Sequence, residues 1–371
     1  MPPLRTLHVN TERGWRGGEQ QMAYLTEGLR RRGHAVRLVV QPDGEAAPRL
    51  EAAGFDVDRC RMRGEADPLS VVALARRMRA WRPDVVHLHT SHAHALGALA
   101  ARFAGRPRPA VVVSRRVDFS IYRRSFLGLN GFKYRHGLDR IVCVSEAIRR
   151  VLLDDGLDPA RLAVVRSAID PERVRGAARV DVRARLGLPA GAPVVLAVGA
   201  LVGHKGHRHL VDALPAVVAA VPEARVVVAG EGPLRDELLA QARALGVAGA
   251  LVLAGQVGDL PGWFADVDVL AMPSTEEGLG TSVLDGMAAG LAVVASAAGG
   301  LPEMVRDGVE GRLVPPGDAG ALAAAVVALL RDPVARRAMG AAGAARVDAE
   351  FRVDRMVEGT LAVYEDVLAR R

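Results

Sequence analysis

The sequence predicts an α/β protein built from two doubly wound domains, each a parallel sheet with helices on both faces. First, the chain has 371 residues, too many for a single domain of about 150 residues. Second, short apolar strand patterns alternate with helical patterns along its whole length. Third, the strand patterns are near-continuous runs of Val, Leu and Ala, which is typical of parallel strands buried on both faces.

Strand patterns occur in both halves of the chain, joined by helical patterns such as 19–33, which ends at Gly33 as a C-terminal cap. In order, the strand patterns are 4–10, 35–41, 84–90, 110–114, 140–145, 161–167, 193–199, 224–230, 250–255, 267–274 and 291–296. The alternation breaks near Pro171. We therefore predict an N-terminal domain at 1–170 and a C-terminal domain at 171–352, with a final helix at 353–371 that packs back on the first domain.

Charge differs between the two halves of the chain. Residues 1–190 hold 34 Lys and Arg against 20 Asp and Glu, a net charge of +14, whereas residues 191–371 have a net charge of −7. This difference indicates two domains with different partners. The basic half either favours an anionic partner, such as a phosphate or an acidic lipid surface, or is an Arg-rich solvated surface.

Sequence features that report on cellular location favour a cytoplasmic protein. No apolar run reaches the roughly 18 residues that span a bilayer. The N-terminus enters a strand without the segments of a signal peptide. Cys60 and Cys143 lie far apart with no metal-ligand spacing, and we expect both to be buried thiols.

The loops after strands are the candidate sites, because ligands of open parallel sheets bind at the carboxyl ends of the strands. The first such loop contains Gly17 and Gly18, just before a helix that starts near Glu19. Glycines let the backbone approach a ligand, and a helix start offers N–H groups to an anion. The alternative is a loop that merely requires a tight turn.

Four histidines lie within eight positions: His87, His89, His92 and His94. The first two alternate along a strand, and the other two open a helix that Thr90 or the following Ser91 would cap. The alternatives are a metal site, core or capping histidines, and cleft histidines that contact a polar ligand. We expect no metal, because no acidic or Cys ligand is near.

The segment 114–137 interleaves cations with aromatic rings. Its basic residues are Arg115, Arg116, Arg123, Arg124, Lys133 and Arg135, and its aromatic residues are Phe119, Tyr122, Phe126, Phe132 and Tyr134. This pattern suits an anionic membrane interface or an anionic acceptor. Stacked nucleotides would also fit, but no nucleic-acid motif accompanies the segment, and we expect no nucleic-acid partner. Core packing of the aromatic rings is the alternative.

Two glycine-containing loops follow strands in the second half. Lys205 lies between a glycine loop and a helix, where it would face the phosphates of a nucleotide. A surface lysine is the alternative, but lysine is rare in this Arg-rich chain. Gly230 and Gly232 also follow a strand, although Arg235 occupies the third glycine position of a dinucleotide motif, so the evidence for NAD is weak.

The stretch STEEGLGTSVLDGMAAG, residues 274–290, places Glu277 and Asp285 on either side of a Gly-Leu-Gly turn. A helix that begins near Thr281 or Ser282 would offer N–H groups to an anion. Ser282 and Asp285 also match a capping box with Asp in place of the usual Glu or Gln. Capping does not account for Glu277, because a carboxylate beside a phosphate site needs hydrogen bonds from ligand hydroxyls. Phosphates with carboxylates beside them describe a nucleotide-sugar.

These motifs resemble the family-4 glycosyltransferases of the GT-B fold, and the resemblance covers nearly the whole chain. GGEQQMAYLTEGLRRRGHAVRLV, PDVVHLHTSHA and DRIVCVSEAIRRVL resemble motifs of the acceptor domain. HKGHRHLVDAL, VVVAGEGPLRDEL and the segment from PSTEEGLG to LVPPGD resemble the donor domain, in order. The resemblance implies two Rossmann-like domains facing across a cleft, with the acceptor held by the first and the donor by the second.

The implied activity is that of a retaining glycosyltransferase of the hexosyl type, acting without a metal or other cofactor. It would move a sugar from a UDP- or GDP-sugar to a hydroxyl of a cell-envelope glycan, such as lipopolysaccharide, or of a glycolipid. We expect peripheral contact with the anionic inner face of the cell membrane through 115–135. The alternatives are a nucleotide-sugar 2-epimerase and a catalytically weak protein that binds a nucleotide-sugar.

The resemblance also implies roles by motif position. Lys205 would neutralise the diphosphate, Glu277 would hold donor-sugar hydroxyls and Asp285 would hold the ribose. The backbone N–H groups at the helix start would also bind the diphosphate; these belong to Gly278, Leu279, Gly280 and Thr281. Two loop glycines would approach the phosphate from the first domain, Gly17 and Gly18. Three side chains are candidates for the acceptor or the cleft: His92, His94 and Asp118.

Three positions depart from the family pattern. Asp285 stands where the second acid is usually Glu. Ala200 stands where the family has Arg five positions before the lysine, and Arg208 or an N-terminal Arg is the alternative cation for the donor. Arg115 and Arg116 stand where many members carry a cleft His. They either replace the missing charge on the leaving group, as catalytic residues, or bind an anionic acceptor.

Overall fold

A computed structural model describes residues 2–123 and 129–371 of the chain. Contacts divide the chain into two units. The first comprises Met1–Ala168 together with Val353–Arg371, and the second comprises Ile169–Arg352. The boundary predicted from the sequence, after residue 170, lies two residues later. Arg124 and Phe126 of the predicted basic-aromatic segment lie outside the described residues.

The first unit is built on a parallel sheet of seven strands in the order β3-β2-β1-β4-β5-β6-β7. The strands are β1 Arg5–Val9, β2 Ala35–Val40, β3 Asp56–Arg59, β4 Val85–Leu88, β5 Ala110–Arg115, β6 Arg140–Cys143 and β7 Leu162–Val164. The helices are α1 Gly17–Arg31, α2 Ala46–Ala52, α3 Pro68–Trp81, α4 Ser91–Arg102, α5 Leu129–Arg135, α6 Glu146–Asp154 and the final helix of the chain, α16 Val353–Ala369. The strand order reverses between β1 and β4, which is where a doubly wound sheet opens a crevice.

The second unit has a parallel sheet of six strands in the order β10-β9-β8-β11-β12-β13. The strands are β8 Val194–Val198, β9 Arg225–Ala229, β10 Leu251–Gly255, β11 Val269–Met272, β12 Ala292–Ser296 and β13 Gly311–Val314. The helices are α7 Pro171–Arg175, α8 Val182–Arg185, α9 His207–Ala220, α10 Arg235–Ala244, α11 Leu260–Phe264, α12 Thr281–Ala288, α13 Leu301–Met304, α14 Ala319–Arg331 and α15 Pro333–Glu350. Here the strand order reverses between β8 and β11.

Two strands have no counterpart among the predicted patterns, and both lie at a sheet edge. β3 has the sequence DVDR, with both ends exposed, and β13 has the sequence GRLV with an exposed Arg312. An edge strand has a neighbour on one side only and tolerates charged side chains. It therefore lacks the continuous apolar run that marks the central strands.

The helix α16 packs within the first unit. Tyr364 and Val357 are fully buried in a core cluster that includes residues of α1 and of the sheet. Gly28 of α1 permits the close approach, since a Cβ atom there would lie 2.3 Å from Val357 Cγ2. The end of the chain thus completes the core of the unit that contains its beginning.

Candidate functional site

The switch point of the second unit brings two loops together, one after β8 and one after β11. The backbone N–H of Thr275 donates to His204 O at 2.8 Å. Gly206 has φ +67°, and a Cβ atom there would lie 1.9 Å from Pro273 O. Only glycine fits this contact, because the left-handed backbone and the missing side chain are both required. The two loops therefore hold each other in one arrangement.

This arrangement joins Lys205 and Glu277, which are 72 positions apart in the sequence. Lys205 Nζ donates to Glu277 Oε2 at 2.6 Å, and the two side chains are 20% and 11% exposed. The hydroxyl of Ser274 donates to the same oxygen at 3.3 Å. The methylene stem of Lys205 lies over Gly199, since a Cβ atom at that glycine would lie 3.4 Å from Lys205 Cδ. Lys205 is thus a held cation rather than a surface lysine.

The helix α12 starts at Thr281, one of the two positions predicted for it. Its N-cap is Gly280, in a left-handed conformation with φ 84°, and no side chain of the described residues caps it. The predicted capping box is wrong, because Ser282 lies inside the first turn and Asp285 lies in the second. Leu279 is only 3% exposed, so it can offer a ligand its backbone but not its side chain. The helix start, without a side-chain cap, is a place for an anion.

Asp285 is a largely buried carboxylate on α12. Its side chain is 16% exposed, and its Oδ1 lies 3.9 Å from the guanidinium of Arg173 on α7. Within the described residues, Oδ1 accepts no hydrogen bond. Burial raises the pKa of Asp285 to about 6, and the positive charge of Arg173 opposes the shift. The carboxylate carries its charge at neutral pH only at a cost in folding free energy.

Ala200 stands at the position where the family has an arginine. In this structure Arg208, an alternative cation for the donor, is paired elsewhere. The Arg208 guanidinium donates to Glu237 of α10 at 2.8 Å, and both side chains are about half exposed. Its predicted contact with the donor would require that surface ion pair to open. Such a pair contributes little to stability, so opening it costs about 1 kcal/mol or less.

A pocket lies at the carboxyl ends of β9 and β10, close to the Gly230-x-Gly232 loop. It has a volume of about 340 Å³ and is lined by Glu231, Gly232, Arg235, Leu253, Ala254 and Gly255. Gly230 is required for packing, because a Cβ atom there would lie 1.9 Å from Gly199 O. These glycines therefore serve the approach of neighbouring strand ends, which agrees with the weak evidence for a dinucleotide motif.

In the first unit, α1 begins at Gly17, two residues earlier than predicted. Glu19 accepts from the backbone N–H of Arg16 at 3.1 Å and from Asn10 Nδ2 at 2.9 Å, which anchors the loop to the end of β1. The glycine pair borders a cation, since a Cβ atom at Gly18 would lie 3.7 Å from Arg116 Cδ. Gly17, Gly18 and Arg116 belong to separate motifs of the sequence, and the fold brings Gly18 and Arg116 together.

The two consecutive arginines at the end of β5 have different environments. Arg115 is buried and donates to the Tyr134 hydroxyl at 2.8 Å and to Phe119 O at 2.5 Å. Its guanidinium thus packs the segment that follows β5, and its role as a catalytic residue stays a prediction. Arg116 is half-buried, and burial lowers its pKa to about 10 while Glu19 opposes the shift. It remains a cation at neutral pH.

The predicted acceptor residues fall into three classes. His92 is exposed in the first turn of α4, which Thr90 caps by accepting from the N–H of Ala93. Asp118 is half-buried in the loop after β5. His94 is fully buried against the Tyr134 ring, with centroids 4.7 Å apart, and burial lowers its pKa to about 3. His94 therefore lies in the core of this structure, and its contact with an acceptor stays a prediction.

A buried histidine cluster at the switch point of the first unit was missed in part. His8 on β1 pairs in register with His87 on β4, and with His89 they form a group whose ring nitrogens lie within 4.8 Å of one another. The signal in the sequence is one histidine between apolar residues in each strand, His8 in β1 and His87 in β4, but only the parallel register joins the two strands. Every ring nitrogen of the cluster has a hydrogen-bond partner within the protein.

The described part of the basic-aromatic segment divides between core and surface. Tyr134 is buried, whereas Tyr122 and Phe132 are exposed. The segment 115–135 is predicted to contact a membrane, but Lys133 is occupied within the protein. Its ammonium donates to Glu65 at 3.0 Å and to Ser91 Oγ at 2.9 Å. No helix within 2–123 and 129–371 is long and apolar enough to cross a membrane.

Comparison with known proteins gives a consistent result over both units. Residues 15–173 match the model of Glycosyltransferase Family 4, and residues 192–332 match the model of Glycosyl transferases group 1. The chain is 32% identical over 308 residues to the 2-deoxystreptamine glucosyltransferase of Streptomyces kanamyceticus, covering 79% of this chain and 80% of the relative. It is 29% identical over 354 residues to the lipopolysaccharide core biosynthesis glycosyltransferase LpsE of Rhizobium meliloti, covering 93% and 94%.

Solved structures show the same fold. Anabaena Alr3699/HepE, solved in complex with UDP and glucose, superposes with a TM-score of 0.85 at 21% identity, covering 98% of this chain and 100% of that chain. Sucrose-phosphate synthase from Thermosynechococcus elongatus superposes with a TM-score of 0.82 at 20% identity, covering 99% and 100%. The two parallel-sheet units are thus the GT-B fold predicted from the sequence. With both units matched by family models and two relatives matched over 80% and 94% of their length, the chain belongs to the group 1 glycosyltransferases of family 4 and is a transferase.

Proposed function

We propose that the protein is a retaining glycosyltransferase that moves a sugar from a UDP- or GDP-sugar to a hydroxyl of a cell-envelope glycan or glycolipid. The observation that carries the proposal is the pair of Lys205 and Glu277, 2.6 Å apart beside the start of α12. A cation, a carboxylate and a helix N-terminus in one place match the phosphates and the sugar hydroxyls of a nucleotide-sugar.

Transfer leaves negative charge on the departing diphosphate, and the site has groups that stabilise it. Lys205 supplies one positive charge, worth about 4 kcal/mol at 4 Å for an effective dielectric constant of 20. The first N–H groups of α12 supply further donors without a side-chain cap to compete for them. Glu277 balances the charge of Lys205, and in this proposal it accepts hydrogen bonds from hydroxyls of the transferred sugar.

The other parts of the donor have candidate partners in the second unit. Asp285, with a pKa of about 6, is mainly ionised at pH 7.5 and can accept hydrogen bonds from ribose hydroxyls. The pocket at the ends of β9 and β10 is a candidate for the base, because it lies at the strand ends beyond the switch point. The proposal includes no metal and no other cofactor, since Lys205 and the helix start supply the positive potential.

The proposed acceptor class rests on the charge of the first half of the chain and on the names of its relatives. LpsE is named for lipopolysaccharide core biosynthesis. A Mycolicibacterium smegmatis relative, 39% identical over 200 residues or 52% of this chain, is named as a GDP-mannose-dependent phosphatidylinositol monomannoside mannosyltransferase. Two further relatives are named for 2-deoxystreptamine, whose amino groups are cationic at neutral pH. The net charge of +14 over residues 1–190 favours an anionic acceptor over that diamine.

Peripheral membrane contact is the part of the proposal that concerns location. Within the described residues of 115–135, the exposed side chains include Tyr122, Arg123, Phe132 and Arg135. Two aromatic rings with two arginines can bind the interface of an anionic bilayer. Co-sedimentation with liposomes should increase with the fraction of anionic lipid, and binding that ignores lipid charge would contradict this location.

A donor panel tests the activity. Purified protein is incubated with UDP-, GDP- and ADP-sugars and with lipid or glycan acceptors, in EDTA, and released nucleoside diphosphate is measured. We expect release with a UDP- or GDP-sugar that depends on the acceptor, and a product that retains the anomeric configuration. Release by none of the donors contradicts the proposal. Isomerised donor without acceptor identifies an epimerase, and calorimetric binding without turnover identifies a nucleotide-sugar-binding protein.

A further inference from the structure

The buried histidines of the first unit form a chain of hydrogen bonds that ends at Arg116. Arg116 Nη2 contacts His89 Nδ1 at 3.4 Å, His89 Nε2 contacts His8 Nδ1 at 3.0 Å, and His8 Nε2 contacts Thr6 Oγ1 at 3.2 Å. The Thr6 hydroxyl then donates to Ala35 O at 3.4 Å. The chain runs from a half-buried cation into the interior of the sheet.

The chemistry of arginine gives this chain a single direction. A guanidinium only donates, so Nδ1 of His89 must be an unprotonated acceptor. Neutral His89 then carries its proton on Nε2 and donates to Nδ1 of His8. Neutral His8 likewise carries its proton on Nε2 and donates to Thr6. Both imidazoles and the Thr6 hydroxyl thus have one donor matched to one acceptor, as a satisfied buried network requires, whereas Nε of Arg116 has no hydrogen-bond partner among the described residues.

The environment keeps both imidazoles neutral. Burial lowers the pKa of His8 to about 3, and burial with the neighbouring His87, His8 and Arg116 lowers the pKa of His89 well below its usual range. Protonation of His89 would turn its acceptor toward Arg116 into a second donor. Ring stacking holds the imidazole planes, with centroids 4.3 Å apart for His87 and His89 and 5.3 Å apart for His8 and His89.

The position of Arg116 gives the chain a use. Arg116 lies against Gly18, in the first turn of the 15-residue helix α1. The Glu19 carboxylate of the same turn attracts Arg116, and the helix start adds positive potential for an anionic group. A free arginine side chain has many rotamers, and holding one of them before substrate binds removes that entropic cost from binding.

We propose that His89 and His8 are positioning residues, which hold the Arg116 guanidinium beside Gly18, where it can meet an anionic group of the substrate. They act through Arg116 and do not touch the substrate. The inference rests on the proposed function for the identity of the anion, whereas the direction of the hydrogen-bond chain stands on the geometry of the first unit.

Nitrogen-15 NMR of the histidine side chains tests the chain without any substrate. Spectra are assigned with single histidine variants and followed from about pH 5.5 to about pH 8. We expect His89 and His8 to be neutral throughout, each protonated on Nε2, and Arg116→Ala to shift the Nδ1 resonance of His89. A proton on Nδ1 of His89, or titration near its usual pKa of about 6.5, overturns the inference whether or not the protein is a transferase.

A double-mutant cycle then tests the positioning role, with the affinity for UDP and GDP measured by calorimetry. We expect Arg116→Ala and His89→Leu each to weaken binding about tenfold, and the double variant to bind no more weakly than Arg116→Ala alone. His89→Asn, whose amide oxygen can replace Nδ1, should retain most of the affinity. Losses that multiply, or unchanged affinity in His89→Leu, contradict the proposal.

Two further results separate folding and function from positioning. His34→Leu is the matched control, because His34 is a buried histidine of the same unit that accepts from the N–H of Leu4 at 3.1 Å. It should bind nucleoside diphosphates as the wild type does. Wild-type protein that binds neither UDP nor GDP contradicts the proposed function instead, and the NMR result then decides the chain alone. If His89→Leu does not fold, the NMR result on the wild-type protein decides the proposal.

Discussion

Asp285→Asn should make the protein more stable at pH 8. The carboxyl has a pKa of about 6 in the folded protein against 3.8 for an unperturbed group, because burial outweighs the attraction of Arg173. Below pH 3.8 the group is protonated whether the chain is folded or unfolded. As the pH rises, Asp285 ionises first in the unfolded chain, so the free energy of unfolding falls until the carboxyl of the folded protein has also ionised. About two pKa units at 1.36 kcal/mol each cost about 3 kcal/mol above about pH 7.

Urea unfolding of wild type and Asp285→Asn over a pH series measures this cost, since Asn cannot ionise. The difference in free energy of unfolding should be only about 0.5 kcal/mol at about pH 4 and reach about 3 kcal/mol in favour of the variant at pH 8, with midpoints shifted at unchanged slope. Glu223→Gln, an exposed position before β9, is the control and should show no pH-dependent gain. A difference that does not vary with pH, or a less stable variant at pH 8, would refute the reasoning.

The remaining predictions concern activity and packing. Lys205→Ala should lower kcat by about 10²-fold or more, through loss of a charge that stabilises the departing diphosphate, and wild-type turnover would remove it from the site. Gly206→Ala should lower kcat by a similar factor and unfold at a lower urea concentration, because its Cβ would lie 1.9 Å from Pro273 O. An active and stable variant would show that the loops after β8 and β11 need not meet. Gly28→Ala should lower the free energy of unfolding by about 1–3 kcal/mol, because the added methyl group overpacks Val357. Adding Val357→Ala to this variant should restore part of the loss in thermal unfolding. Failure of that rescue would show that the strain lies elsewhere.

The fold was predictable because its signals are local. A run such as VVLAV at β8 is a buried parallel strand wherever it occurs, and Gly33 ends α1 through its own positive φ. β3 and β13 were not predictable in this way, since their edge positions remove the continuous apolar run. The capping box failed for a related reason. Ser282 and Asp285 have the right spacing, but the left-handed Gly280 starts the helix earlier.

Residue types and spacing identified a candidate cation and candidate carboxylates for a nucleotide-sugar, since lysine after one strand and Glu-Gly-Leu-Gly after another carry that chemistry by themselves. Only the tertiary structure decided which of the candidates act together. Parallel pairing of β8 with β11 joins Lys205 to Glu277, and pairing of β1 with β4 sets His8 beside His87 and within hydrogen-bond distance of His89. Two neighbouring arginines, equal in the sequence, separate because backbone direction turns Arg115 into the core and leaves Arg116 against Gly18. Strand register and burial are long-range properties, so no local pattern contains them.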